Sequence, residues 1–406
     1  MRRWKNNKFY RWRKPLWLLP PLAQRAAQKQ RLHAKRGHVS EHSKPTCYTL
    51  NYPDTTLGKL IDQSAARFGD ARAIVYGDAQ WTYAELYSEV NRLAAGMAGL
   101  GVRRGDRVLL GLPNCPEFVQ AFLAIQKLGA IVVNAGPLIG ADDLEQVRAM
   151  TQPKLAVALD LQATRMGALQ AAQTDLCCVL VSLQNYQTGW KRLGYRAKLI
   201  QAQSHNGCNG RARRLEDLLA HAPSRPPTVA PDPDETAVLQ PTGGTTGRPK
   251  IAQLSHRNLL SNAMQLSVWG QQAPGQDRVL ALLPMFHVYG LTTCLITPVF
   301  NAATILPLTR FHVAKFLDVI CAHRPTVLPL APAIIEPMCD ALAARPRAGL
   351  VDALRGSTVT SGAAPLQPRT ARRFEELTSV RVVQGYGLTE ASPATHLAPP
   401  QDPRDR

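Results

Sequence analysis

The sequence predicts an α/β fold, with mixed or parallel sheets covered by helices. Three observations predict it. Leu86, Val90, Leu93, Met97 and Leu100 recur at helical spacing, and the short apolar run Arg107–Leu110 comes after them. Pro116 then opens a second helical pattern, and another apolar run comes at Ala130–Val133. Strand, helix, strand in that order needs a crossover, which implies parallel strands with helices on their faces. The third observation is size: 406 residues, 45% of them hydrophobic, can bury one large core or roughly two to three packed subdomains.

Each element has a local reason. Regular structure is expected from about Leu57. Thr82 and Glu85 form a capping box, the hydroxyl accepting from the Glu85 amide while the carboxylate reaches back. Gly101 ends that helix. Pro116 suits a first helical turn, and Phe118, Phe122, Ile125 and Leu128 lie along one side of the helix it opens. Leu155–Leu159 and Cys177–Val181 read as further buried strands. From Gln184 to Leu215 the pattern weakens into a basic, aromatic stretch with Trp190, Lys191, Arg192, Tyr195, Arg196 and Lys198. It reads as a surface excursion, with an amphipathic membrane-surface segment as the alternative. Five prolines between Pro223 and Asp234 mark residues 222–235 as a linker between subdomains.

The formal net charge is +19, and twelve Lys or Arg residues precede the first acid, Glu41, which leaves +7 for the rest. The basicity therefore belongs largely to residues 1–45, read as a disordered tail. Two alternatives compete. Leu16–Leu22 is too short for a secretory signal, comes after Pro15 and is broken by Pro20 and Pro21. Trp4, Trp12 and Trp17 among the cations would suit an anionic membrane surface. Binding to nucleic acid rests on charge alone, and no specific nucleic acid is expected. No apolar run is long enough to cross a bilayer. The expected location is cytoplasmic, with peripheral membrane contact through the basic segments as the alternative. Eight scattered cysteines contain no C-x-x-C pair, so free thiols are expected.

The decisive segment runs from Leu239 to Lys250. A strand at Ala237–Leu239 precedes Thr242-Gly243-Gly244-Thr245-Thr246-Gly247, and Lys250 leads into a strand at Ile251–Leu254 and a helix capped by Ser255. Glycines let successive backbone N–H groups converge on an anion, threonine hydroxyls add donors, and Lys250 adds charge. The loop is suited to polyphosphate. It is not a Walker A loop, because Arg248 and Pro249 stand where that spacing requires glycine and lysine partners.

This loop resembles the signature of the acyl-CoA synthetase, peptide-synthetase adenylation and luciferase superfamily, and is most similar to that of its long-chain fatty acid–CoA ligases. Pro241 and Ile251 depart from the usual aromatic residue and glycine. Three more segments come after it in the family's order. Leu283-Pro284-Met285-Phe286-His287-Val288-Tyr289-Gly290 resembles the segment lining the acyl pocket, with His287 near the carboxylate. Ser361-Gly362-Ala363-Ala364-Pro365-Leu366 resembles the adenine-binding turn. Gln384-Gly385-Tyr386-Gly387-Leu388-Thr389-Glu390 resembles the next signature; there Tyr386 would stack on adenine, Thr389 contact the α-phosphate and Glu390 hold magnesium.

The resemblance implies the large N-terminal domain of an AMP-forming acyl-CoA synthetase over residues 50–397, with a disordered tail at 398–406. It implies activation of a fatty acid to acyl-adenylate and then acyl-CoA, using ATP, Mg2+ and coenzyme A. Lys250, His287, Thr389 and Glu390 would be catalytic; Thr242–Gly247, Gly362, Ala363, Ala364 and Gln384–Gly387 would hold nucleotide; Thr245 and Glu390 would hold the metal. Family members carry a later aspartate for the ribose, a hinge and a small C-terminal domain with a further lysine, and none of these lies within the 406 residues. Two readings therefore stay open: a ligase, and a non-catalytic nucleotide- or acyl-binding fragment or degenerate relative. Oligomeric state is not legible.

Overall fold

The protein's computed structural model describes residues 49–187, 189–203, 212–242 and 250–398. All fifteen strands among them lie in Pro53–Arg406, one of the two units into which the chain divides; the other is Met1–Tyr52. The basic tail expected at 1–45, the loop Gly243–Pro249 and residues 399–406 lie outside the described residues.

The first two strands, β1 (Arg72–Tyr76) and β2 (Ala79–Thr82), form a hairpin. Next come β3 (Arg107–Gly111), β4 (Ile131–Asn134), β5 (Leu155–Leu159), β6 (Cys177–Val181), β7 (Ala212–Arg214), β8 (Thr236–Thr242) and β9 (Lys250–Ser255). These seven make one sheet in the order β7-β6-β5-β3-β4-β8-β9, parallel except for the β8–β9 edge pair. The last six are β10 (Arg278–Ala281), β11 (Thr304–Pro307), β12 (Val327–Leu330), β13 (Thr358–Ser361), β14 (Val382–Gly387) and β15 (Ala394–Leu397). With the hairpin they form a second sheet, ordered β15-β14-β13-β12-β10-β11-β1-β2 and antiparallel only at its two edges.

The helices form for the reasons their sequences state. Thr82 and Glu85 make both bonds of the capping box ahead of the helix Tyr83–Gly99, with Thr82 N donating to Glu85 Oε2 at 2.7 Å. Ser255 and Asn258 do the same ahead of the helix His256–Trp269. The helix Pro116–Lys127 starts with proline at its first turn and buries every residue up to Gln126. It is covered all round, its polar Glu117, Gln120 and Gln126 included. Its Phe118 and Phe122 share one core with Val108 and Val132 of the seven-stranded sheet and with Leu280 and Ile305 of the eight-stranded sheet. That single core couples the two sheets.

Two expectations need correcting. Residues 222–235 do not separate subdomains: β7 before them and β8 after them belong to the same sheet, so the proline-rich run is a crossover. Its end is fastened by ion pairs of Glu235 with Arg104 and of Asp234 with Arg257. Ala398, assigned to the C-terminal tail, is still paired: its N–H donates to Gln384 O at 2.9 Å, and its carbonyl accepts from Trp269 Nε1 at 3.1 Å. Among the described residues the cysteines are free thiols, and Cys115, Cys178, Cys294 and Cys339 are buried. No helix among the described residues is long and apolar enough to cross a membrane.

Candidate active site

In the eight-stranded sheet the chain winds from β10 to β11 on one side, then crosses back to β12, β13 and β14 on the other. A crevice at the carboxyl ends of the strands beside such a reversal is where open α/β sheets bind ligands. The segment after β10, the turn after β13 and the end of β14 all meet there.

The turn Leu282–His287 comes directly after β10 and is pinned by buried amides. Asn114, 3% exposed, donates from Nδ2 to Ala281 O and Leu283 O, both at 2.9 Å, and its Oδ1 accepts from Met285 N at 2.8 Å. Gln240 Nε2 donates to Phe286 O at 3.0 Å, and Asn134 Nδ2 donates to Gln240 Oε1 at 2.8 Å. Gly290 allows the chain to return: a Cβ there would lie 2.1 Å from Pro284 O. The helical run from Val288 to Phe300 contains a π-helical stretch, Thr292–Ile296, and presents Tyr289, Thr293 and Thr297 to one cavity. Helix irregularities of this kind are frequent at functional sites.

The opposite wall is one face of the sheet. Val327 and Pro329 of β12, Thr358 and Thr360 of β13, and Val383 and Gly385 of β14 alternate along their strands and line the same cavity. From Thr358 to Gly362 that wall extends about 13 Å along β13 and its end. Tyr289 bridges the walls; its hydroxyl donates to Leu330 O at 3.3 Å, and its ring packs where a Gly362 side chain would stand. Burial pushes the Tyr289 hydroxyl up to about 12, so it is a proton donor.

The limb Gly385–Leu397 closes the front. Its base is held by Asn262, which donates to Ala394 O at 2.8 Å and accepts from Ala394 N at 3.1 Å. Its tip is open: Tyr386 is 67% exposed, and Thr389–Ala391 forms a short turn carrying an exposed Glu390. Gly387 is required by a close approach, since a Cβ would meet Pro393 O at 2.1 Å.

The enclosed volume is about 430 Å3. Of the residues singled out in the sequence, His287, Gly362, Ala363, Gly385, Tyr386, Gly387 and Thr389 line it. Ala364, Gln384, Thr242, Lys250 and Glu390 do not. Ala364 is exposed beyond the turn, and the exposed Gln384 side chain alternates away from Gly385. Lys250 is exposed at the start of β9, where Thr242 Oγ1 donates to its carbonyl at 3.4 Å. β9 in turn packs beside the Thr389–Ala391 turn, which places Lys250 and Glu390 on neighbouring elements from different sheets. Gly243, Gly244, Thr245, Thr246 and Gly247 lie outside the described residues.

Partial burial lowers the His287 pKa, so the imidazole is neutral near pH 7 and faces the cavity without a charge of its own. Among the described residues no cluster of three His, Cys, Asp or Glu side chains could hold a metal. A cation here would need oxygens from a phosphate ligand beside Glu390. That suits magnesium, which commonly takes one or two carboxylates plus substrate phosphates.

Sequence reasoning missed the three pinning amides and the deep wall. Asn114, Asn134 and Gln240 find partners far along the chain, and no local pattern announces them. The wall had a signal: the period-two series Thr358, Thr360, Gly362 runs straight into the motif at Ser361–Leu366.

A sheet face, the Gly362 turn and an exposed aromatic tip meet at one cavity beside the strand reversal. The family model described as AMP-binding enzyme matches residues 61–406, and the chain belongs to that family. It is 31% identical over 378 residues to a long-chain-fatty-acid–CoA ligase of Bacillus subtilis (strain 168), covering 90% of this chain and 65% of that protein. It is 30% identical over 354 residues to 4-coumarate–CoA ligase 2 of Solanum tuberosum, covering 84% and 59%. The chain thus spans less than two thirds of the length of either relative. Among solved structures, the long-chain-fatty-acid-CoA ligase FadD1 of Archaeoglobus fulgidus superposes with a TM-score of 0.72 at 22% identity, over 87% of this chain and 68% of that one. That likeness establishes the fold: helix-covered mixed sheets, as in the large domain of such ligases.

Proposed function

We propose that this chain activates a long-chain fatty acid as its acyl-adenylate and passes it to coenzyme A. The observation that supports this reading is the cavity itself. It runs along the face of β12–β14 from the Gly362 turn to Val327 and Thr358, and its walls are largely apolar. Such a slot suits a chain rather than a compact acid. Each methylene taken from water contributes about 0.8 kcal/mol, so affinity should rise with chain length until the slot is full.

In the first step a carboxylate oxygen of the acid attacks the α-phosphorus of ATP, a P–O bond forms, and pyrophosphate leaves with the electrons of the broken bond. In the second a thiolate attacks the acyl carbon and AMP leaves. The chain's part is positioning and charge placement. Tyr386 offers an open ring face to the base. The Thr389 hydroxyl would donate to a phosphate oxygen, Lys250 would add positive charge from the neighbouring strand, and neutral His287 lines the cavity and would neither repel nor trap the carboxylate. Magnesium, when bound, would neutralise phosphate charge, with Glu390 as its carboxylate.

A second reading, an aromatic acid, is favoured by the Trp269 and Tyr289 rings on the wall and by the plant relatives. The test is acid-dependent exchange of label between pyrophosphate and ATP. Palmitate, octanoate and 4-coumarate would be compared, with Lys250→Ala and Glu390→Ala as controls. Exchange that rises from octanoate to palmitate and drops at least a hundredfold in both controls is expected. A preference for 4-coumarate would replace the fatty-acid reading. No exchange with any acid, while ATP still binds, would leave a non-catalytic binding module.

A further inference from the structure

The stretch Gly189–Gln203 folds as a helix whose sides are arranged unlike those of an ordinary surface helix. Tyr195 and Leu199, four residues apart, are its half-buried side. The Tyr195 hydroxyl donates to Asp160 Oδ1 and accepts from Leu183 N at 3.2 Å, which fastens the helix to the body. On the opposite side Trp190, Leu193, Ala197 and Ile200 succeed one another at steps of three, four and three residues, which is a single stripe. The stripe faces out: Trp190 is 79% exposed, Leu193 67% and Ile200 68%. Lys191 and Lys198 border it on one flank, and Arg192 and Arg196 on the other.

A lone exposed leucine needs no explanation, but a tryptophan, a leucine and an isoleucine in one stripe do. The charge around them is one-sided. Between Asp175 and Glu216 there is no acidic residue, while there are seven Lys and Arg. An apolar stripe with cations along both flanks is the pattern of a helix lying in a lipid interface. There the indole sits at the headgroups, Leu and Ile reach the acyl boundary, and Lys and Arg bend toward phosphate. Nucleic acid offers nothing to an aliphatic stripe. An acidic protein groove would accept it, but would gain little from cations on both edges of a flat face.

We propose that the helix Gly189–Gln203 is a docking surface for a bilayer bearing anionic headgroups. The inference stands apart from the choice of acid activated in the cavity. Near such a surface each cation improves partitioning by about fivefold at low salt.

The N-terminal forty residues, with twelve cations, would also draw the chain to anionic vesicles, so the experiment has to localise the contact. The full chain is incubated with phosphatidylcholine vesicles, with and without phosphatidylglycerol, and amide hydrogen exchange is read peptide by peptide. The expected result is exchange across 189–203 slowed by tenfold or more, on the anionic vesicles only. That slowing should be lost in the triple variant Trp190→Ser, Leu193→Ser, Ile200→Ser, whose melting temperature is unchanged because all three side chains are exposed. If the triple variant does not fold, Trp190→Ser alone should still reduce the slowing severalfold. Retention on vesicles with unchanged exchange in 189–203 would assign the contact to the tail and overturn the proposal. So would no retention, or equal slowing by soluble polyglutamate, which would point to an acidic protein partner.

Discussion

The two walls of the candidate active site are built to opposite specifications. The rear segment 281–287 is held by Asn114, in the loop after β3, and by Gln240 of β8 through four hydrogen bonds. The front limb is held near its base by Asn262 and by Thr292, whose hydroxyl donates to Ser392 O at 2.9 Å, and its tip carries Tyr386 and Leu388, 67% and 43% exposed. The difference teaches where rigidity is needed. On the proposed function, a wall that would exclude water from a chain-shaped ligand is over-determined, whereas the side where a nucleotide would enter and leave can stay open. Substitutions should therefore cost folding stability at the rear and binding at the front.

The largest effect is expected at Asn114. Asn114→Ala takes the side-chain partner from Leu283 O and Met285 N, while Ala281 O keeps Leu308 N at 3.0 Å, a loss of about 3 kcal/mol. Urea unfolding should show a midpoint shifted by that amount with an unchanged slope. A midpoint within experimental error of the parent would mean that the rear wall is not held by Asn114. Asn114→Asp tests the chemistry further: it keeps the acceptor for Met285 N, loses both donors and buries a charge, so it should fare no better than alanine.

A second closed point gives a pH signature. His256, 1% exposed, accepts from Leu57 N through Nδ1 at 3.3 Å, and burial lowers its pKa from 6.5 to about 4, with Glu235 opposing part of the shift. Between those values the unfolded chain binds a proton that the folded one does not. Stability is therefore full above about pH 6.5 and falls as the pH drops toward 4, by about 3 kcal/mol. Unfolding at pH 7 and pH 4.5 should show the loss in the parent. His256→Asn, whose amide oxygen can replace Nδ1, should lack most of it. Equal pH sensitivity in both would assign the acid loss to carboxylates instead.

These closed points also mark the limit of what the sequence discloses. The strand–helix–strand order from Arg107 to Val133, the Thr82–Glu85 capping box and the strands Leu155–Leu159 and Cys177–Val181 were legible because their causes are local: spacing, a cap, an apolar run. The joining of β1 to β11, with Ile74 beside Ile305, has no local cause, nor has Asn114 reaching Met285. Polar residues that satisfy distant backbone look like ordinary loop residues until the fold brings their partners. The same holds for Gly189–Gln203. Its basic and aromatic content was visible, but the outward direction of its apolar stripe is set by Tyr195 anchoring the other side.

The smallest effect on folding is expected at the open front, and it sharpens the contrast most. Tyr386 is exposed, and its neighbours on β15 hold the strand through backbone pairing, so Tyr386→Ala should change stability by no more than about 0.5 kcal/mol. If the ring is a platform for the base, the same substitution should weaken ATP binding by roughly tenfold, the upper range for one aromatic contact, and Tyr386→Phe should restore it. Calorimetric titration with ATP reads this without any need for turnover. A large loss of stability with unchanged ATP affinity would make Tyr386 a structural residue of the limb, and would move the nucleotide away from the one open aromatic on this wall.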